Sequence, residues 1–366
     1  MSKPDSASTA TNFHVKRRRI VHLVEGRCSP RFAKTTRGVL HYSPHESVGL
    51  IDSETAGRTA QEMMGAGGDI PVKATLREFL DSDNRPDTLV IGITPVGGQL
   101  PDNMRAVVLE ALREGLEVWS GLHQFLNDDD EMMSAAAISG ARIWDVRRPP
   151  RIMPVGGGLA ANCKSYTCLT VGSDCAVGKM TASLEVQAEG NRRGQKHEFV
   201  ATGQTGMMIS GWGHPIDAIP GDFMAGCVEK DCLSVDGECD VIHVEGQGSL
   251  YHLGFSPVTL GLMHGCMPDG FILVHQPSRT HISNREHLPI PPLDQVAQFY
   301  VDVMARSKPT RFLGVALNTW GMDEASALAA IKEVENLTGK PTTDAARFGA
   351  GVLLDAIDAH RKEIGK

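Results

Sequence analysis

Short apolar runs alternate with amphipathic stretches along most of the chain. Residues 19–24, 48–52 and 88–93 are brief, apolar and rich in β-branched side chains, and they predict strands. The third run ends in the turn Thr94-Pro95-Val96-Gly97-Gly98. Over 102–114, Met104, Val107, Val108, Ala111 and Leu112 recur at helical spacing. A strand at 116–119, a helix at about 129–139 and a strand at 141–144 follow. Further on, strands are predicted at 166–171, 197–201, 240–245, 270–275 and 312–318, with helices at about 179–192, 293–305 and 323–336. Strands that alternate with helices pair in parallel, so the pattern predicts α/β sheets.

The alternation breaks once. Residues 147–158 contain Pro149, Pro150 and Pro154 followed by Gly156, Gly157 and Gly158, a composition that ends regular structure. The expected organisation is a disordered tail over 1–16, a Rossmann-like open sheet domain over 17–150, and a P-loop NTPase-like doubly wound α/β domain over 151–366. No repeat of solenoid period is visible.

Composition narrows the class. The 366 residues, 41% of them hydrophobic and 22% charged, suit a soluble globular protein of two domains, or three. A net charge of −8 argues against a nucleic-acid partner, and no apolar run is long enough to span a membrane. The eight cysteines include no C-x-x-C pair and no zinc-site spacing, which predicts reduced thiols and no metal site. The start of the chain has no apolar segment of the secretory kind, and Lys16-Arg17-Arg18-Arg19 reads as a solvated entry into the first strand. The expected location is the cytoplasm, with a small-molecule substrate and a homo-oligomeric assembly.

One motif carries chemistry. The strand at 166–171 runs into Gly172-Ser173-Asp174-Cys175-Ala176-Val177-Gly178-Lys179-Met180-Thr181 and then a helix. A strand, a glycine-rich turn and a helix are the parts of a phosphate loop, in which backbone N–H groups and a lysine bind phosphate oxygens. The usual pattern is G-x-x-x-x-G-K-[S/T]. Here Ser173 takes the first glycine position and Met180 the hydroxyl position that would hold Mg²⁺, with Thr181 one residue late. Phosphoryl transfer normally uses that hydroxyl. A ligand whose pyrophosphate is held but not cleaved, such as coenzyme A, tolerates its loss. Glu245, in Val244-Glu245-Gly246-Gln247-Gly248-Ser249, stands at a strand's carboxyl end, where open sheets bind ligands. It is placed to hold a metal under an ATP reading.

These two motifs resemble the dethiobiotin-synthetase branch of P-loop proteins. At full length the chain is similar to the P-loop family that includes the DgcN-type D-glutamate N-acetyltransferase. The similarity runs through 86–98, Gly121-Leu122-His123, the phosphate loop, 201–206, 244–252, 260–265 and Thr343-Asp344-Ala345-Ala346-Arg347-Phe348-Gly349. It implies acetyl transfer from acetyl-CoA, as cosubstrate, to a D-amino acid, D-glutamate first.

That reaction needs a base, oxyanion donors and cations for an acidic substrate. Glu245, His252 and His264 are candidate bases, and Lys179 completes the catalytic set. The donor is expected on residues 172–181 and Asn318. Gln204, Thr205, Gln247, Ser249 and Arg279 are candidates for the acceptor, with Arg285 as a further cation. Cys175, near a helix N-terminus that lowers a thiol pKa, could carry an acetyl group. Two other readings fit the motifs: an ATP- and Mg²⁺-dependent kinase or ligase, and a nucleotide-binding regulator without turnover. Mg²⁺ dependence and ADP release separate the first of these from acetyl transfer.

Overall fold

The computed structural model describes residues 17–366 except Thr94, and for Val96 the backbone alone. The tail expected over 1–16, Lys16 and Thr94 lie outside the described residues. The chain divides into two compact units. One runs to Arg148 and includes Met207–Gly213; the other comprises Pro149–Gly206 and His214–Lys366.

The first unit contains β1 (Arg19–Leu23), β2 (Glu46–Ile51), β3 (Val72–Lys73), β4 (Thr88–Ile91), β5 (Glu117–Ser120) and β6 (Ile143–Asp145). They form one sheet in the order β3-β2-β1-β4-β5-β6, with all pairings parallel. The chain moves outward from β1 to β3, then returns beside β1 and moves outward the other way. This is the Rossmann-type winding, with its reversal between β1 and β4. Both faces are covered, so most strand positions are apolar: Val21, Leu23, Leu50, Ile51, Leu89, Ile91 and Val118 lie in one core cluster. The helix Asp102–Arg113 adds Met104, Val108, Ala111 and Leu112 to it.

The second unit contains β7 (Tyr166–Gly172), β8 (His197–Val200), β9 (Val241–Val244), β10 (Gly270–His275), β11 (His281–Ile282), β12 (Arg285–Pro289), β13 (Arg311–Leu317) and β14 (Thr342–Thr343). Its main sheet runs β14-β13-β10-β7-β9-β8, again parallel. β11 and β12 form a separate antiparallel hairpin. The chain leaves β7 toward β8, fills β9 between them, then crosses to β10 on the far side. β7 therefore sits at the reversal, flanked by β9 and β10, and the loop after it opens at the sheet's carboxyl edge. Tyr166, Cys168, Val186, Ile272, Val274, Leu313, Leu353 and Ile357 build the core below it. The helices Gly221–Val235, Ser256–Cys266 and Gly351–Glu363 add to the elements predicted from the sequence, as do the hairpin and the two-residue strands β3 and β14.

Candidate phosphate-loop active site

β7 ends at Gly172 and the helix Lys179–Arg192 begins seven residues on, so the loop must turn tightly. Ala176 and Gly178 adopt positive φ, 53° and 111°, and bend the backbone inward. Lys179 reaches back across the loop, and its Nζ donates to the Asp174 carbonyl at 2.8 Å. A side chain at Gly172 would start 2.7 Å from that Nζ, so only glycine leaves the lysine room. Burial lowers the Lys179 pKa to about 8. Met180 and Thr181 are half-buried in the helix's first turn.

Three neighbours hold the loop. Ser249 Oγ donates to the Ser173 carbonyl at 3.1 Å, and Ser173 Oγ hydrogen-bonds His275 Nδ1 at 2.8 Å. Tyr300, from the helix Leu293–Met304, donates its hydroxyl to the Gly172 carbonyl at 2.8 Å and accepts from Leu250 N at 3.1 Å. Burial drops the His275 pKa to about 4, so the ring is neutral near pH 7.

Asp174 is fully buried. Its Oδ2 accepts from Arg279 Nη1 and from Ser283 N, each at 2.8 Å. Arg279 Nη1 also donates to the Cys175 carbonyl at 2.6 Å. The guanidinium, considered above for a substrate carboxylate, here clamps the loop to the segment that leads into the β11–β12 hairpin. Arg285 lies in that hairpin and donates to the Asn284 carbonyl at 2.6 Å. Cys175 departs from the expectation of a lowered pKa: burial pushes the thiol up, and the nearby Lys179 charge offsets this only in part.

Glu245 directly follows β9 and is buried. Its Oε2 accepts from Thr202 N at 2.9 Å and Gly203 N at 3.1 Å, both just past the end of β8. Those bonds and Lys179 favour the carboxylate, but burial outweighs them and raises the pKa to about 7. Gly246 N donates to Thr170 Oγ1 at 3.0 Å, which ties the end of β9 to β7. Gln247 donates its amide to the Thr202 carbonyl, and Thr202 Oγ1 donates to the Glu245 carbonyl at 2.8 Å. Gln204 and Thr205 are half-buried at the start of the helix Gln204–Ser210, next to the residues that hold Glu245.

His252 follows on the loop after β9, buried, with its ring stacked on Phe255 at 4.5 Å between centroids. Its Nδ1 accepts from Gly254 N at 3.1 Å, so in the neutral ring the proton sits on Nε2. One ring nitrogen, a carboxylate oxygen of Asp174 and the Cys175 sulfur lie within 4.8 Å of one another. Asn318 flanks the loop: its N donates to the His275 carbonyl at 2.8 Å, and its side chain stands against Gly178. His264 lies apart from these residues. It occupies the last turn of the helix Ser256–Cys266, which carries the chain from the carboxyl edge of the sheet back to its amino edge at β10. Tyr300 and Ser283 were not among the sequence candidates. Tyr300 sits on a helix face that reads as plain core, and Ser283 contributes only its backbone.

A Rossmann-like sheet followed by a doubly wound sheet that opens into a glycine-rich phosphate loop defines a two-domain P-loop α/β protein. The chain belongs to the DUF1611 family. Residues 53–149 match its N-terminal Rossmann-like domain and residues 154–354 its C-terminal P-loop domain, both described as domains of unknown function. The chain is 38% identical over 330 residues to a D-glutamate N-acetyltransferase of Tritonibacter scottomollicae, covering 89% of this chain and 94% of that protein. It is 33% identical over 271 residues to a D-glutamate N-acetyltransferase of a Pseudoalteromonas species, covering 73% and 80%. Both relatives are acyltransferases by name. A crystal structure of a DUF1611 family protein from Anabaena variabilis superposes with a TM-score of 0.88 at 38% identity, covering 94% of this chain and 99% of that one.

Proposed function

We propose that this protein transfers the acetyl group of acetyl-CoA to the amino group of D-glutamate. The acceptor and the reaction rest on one observation: similarity over 89% of the chain to a protein of that activity. Acetyl-CoA as donor is supported by the loop. Lys179 is a buried ammonium suited to pyrophosphate oxygens, and Met180 stands where a phosphoryl-transfer enzyme would keep its Mg²⁺ hydroxyl.

The base is assigned to Glu245. With a pKa of about 7 it is close to half ionised at neutral pH, the condition under which a general base is effective. It takes one proton from the ammonium group of the acceptor. The freed amine attacks the thioester carbonyl to give a tetrahedral intermediate, the C–S bond breaks as a second proton passes from the nitrogen to the sulfur, and coenzyme A leaves as the thiol while the nitrogen becomes the amide. His252 is less suited to be the base, because its unprotonated Nδ1 already accepts the Gly254 N–H.

The test is product mass spectrometry on the full chain. Acetyl-CoA with D-glutamate is the main arm, with L-glutamate and ATP–Mg²⁺ plus D-glutamate in parallel. N-acetyl-D-glutamate in the first arm alone is the expected result. ADP or a phosphorylated product in the ATP arm, with no acetylated product, overturns the reading.

A further inference from the structure

The loop brings together three side chains that acetyl transfer leaves without a common task. Asp174, Cys175 and His252 each present a ligand atom within 4.8 Å of the others, yet no hydrogen bond joins any two of them. Asp174 supplies a second, independent sign. Its carboxylate is fully buried, Oδ2 is satisfied twice, and Oδ1 has no hydrogen-bond partner among the described residues. A buried carboxylate oxygen without a donor is costly, and a cation relieves that cost.

We propose that Asp174, Cys175 and His252 form a binding site for one soft divalent cation of the zinc class at the phosphate loop. The donor set decides the class. Oxygen, thiolate sulfur and imidazole nitrogen suit zinc-like ions, whereas Mg²⁺ and Ca²⁺ select oxygen alone. The surroundings orient the ligands. Arg279 and Ser283 N hold the carboxylate by Oδ2 and turn Oδ1 free, and Phe255 packs flat on the His252 ring. Cys175 is only half-buried, which leaves a path for an ion to enter. His252 gives up its hydrogen bond from Gly254 when a metal takes the ring, and the N–H of the exposed Gly254 turns to water. The Cys175 thiol, held protonated by burial, gives its proton to solvent as the metal–sulfur bond forms. Lys179 and Arg279 oppose a cation, so the affinity falls below that of a closed structural zinc site. The cysteine spacing carried no hint of the site, because two ligands are sequence neighbours and the third lies on the loop after β9. The proposal does not depend on the acetyl-transfer reading.

The test is a Co²⁺ titration of the full-length protein, reduced and stripped by chelator, followed by thiolate-to-cobalt charge-transfer absorbance. The expected result is a band that saturates at one equivalent, is displaced by Zn²⁺, and is indifferent to Mg²⁺. Cys175→Ser should abolish the band, and His252→Ala should weaken binding at least about tenfold. No saturable band in the wild-type protein overturns the proposal whatever the variants do. A band of unchanged strength in Cys175→Ser overturns it too, since another of the eight cysteines would then be the ligand.

Discussion

Replacing Glu245 by glutamine tests the site most directly, because the carboxyl is held well away from its ordinary ionisation. Its pKa rises from 4.5 to about 7 through burial. At 1.36 kcal/mol per pKa unit, keeping the charged form in the fold costs about 3 kcal/mol. The sign follows from linkage. The folded pKa lies above the unfolded one, so the associated stability is fully present below pH 4.5 and is lost as pH rises through about 7. Glu245→Gln removes the titration while its side-chain oxygen can still accept from Thr202 N and Gly203 N. Denaturant unfolding should therefore give curves that nearly coincide at pH 4 and a variant more stable by up to about 3 kcal/mol at pH 8. Activity should move the other way. The wild-type kcat/KM should rise through an apparent pKa of about 7, as the carboxylate forms. The variant should lose that limb and fall by about 10²–10⁴-fold, the usual worth of a general base. The assay is coenzyme A release across pH 5–9. A variant that keeps wild-type activity, or keeps the same pH limb, would refute the assignment of the base.

Lys179→Met should raise the KM for the donor by at least about tenfold, a loss of roughly 1.4 kcal/mol of charge-assisted binding. In the wild type, donor affinity measured by calorimetry should weaken as pH rises through about 8, where the buried ammonium loses its proton. Gly246→Ala would drive a methyl into the Thr170 carbonyl oxygen, against backbone that cannot step aside. It should cost about 3 kcal/mol in urea unfolding. Tyr300→Phe removes the hydroxyl shared by Gly172 and Leu250. It should cost about 1–2 kcal/mol and raise the donor KM more than it lowers kcat.

The sequence showed the frame of both sheets because a strand buried on two faces is apolar along most of its length, as Leu89 to Ile91 are and as Ile20 to Val24 are apart from His22. The helix Asp102–Arg113 was legible from its apolar period. The helices Gly221–Val235 and Ser256–Cys266 were not, and packing explains why. They meet where Gly265 approaches the Ala225 carbonyl, so their contact face is built of small residues that do not read as an apolar stripe. The loop 172–181 and Glu245 were visible as motifs at strand ends. The role of Arg279 was not, because a partner more than a hundred positions away leaves no local signal. His264 drew notice from its glycine neighbour, but the helix that carries it ends at the opposite edge of the sheet.

The bonds that shape the loop also bear on the order of events during folding. Gly246 meets Thr170 across 76 positions, Glu245 meets Thr202 across 43, and Arg279 meets Asp174 across 105. Contacts of such span form late, after local helices, because the intervening chain must be ordered first. The residues of the glycine turn lie within ten positions of each other, yet they take their final form only once β9 and β10 have docked on both sides of β7. Recovery of ligand binding on refolding should thus trail the return of helical signal. A chain still being synthesised would have made the residues of its phosphate loop long before that loop could hold anything.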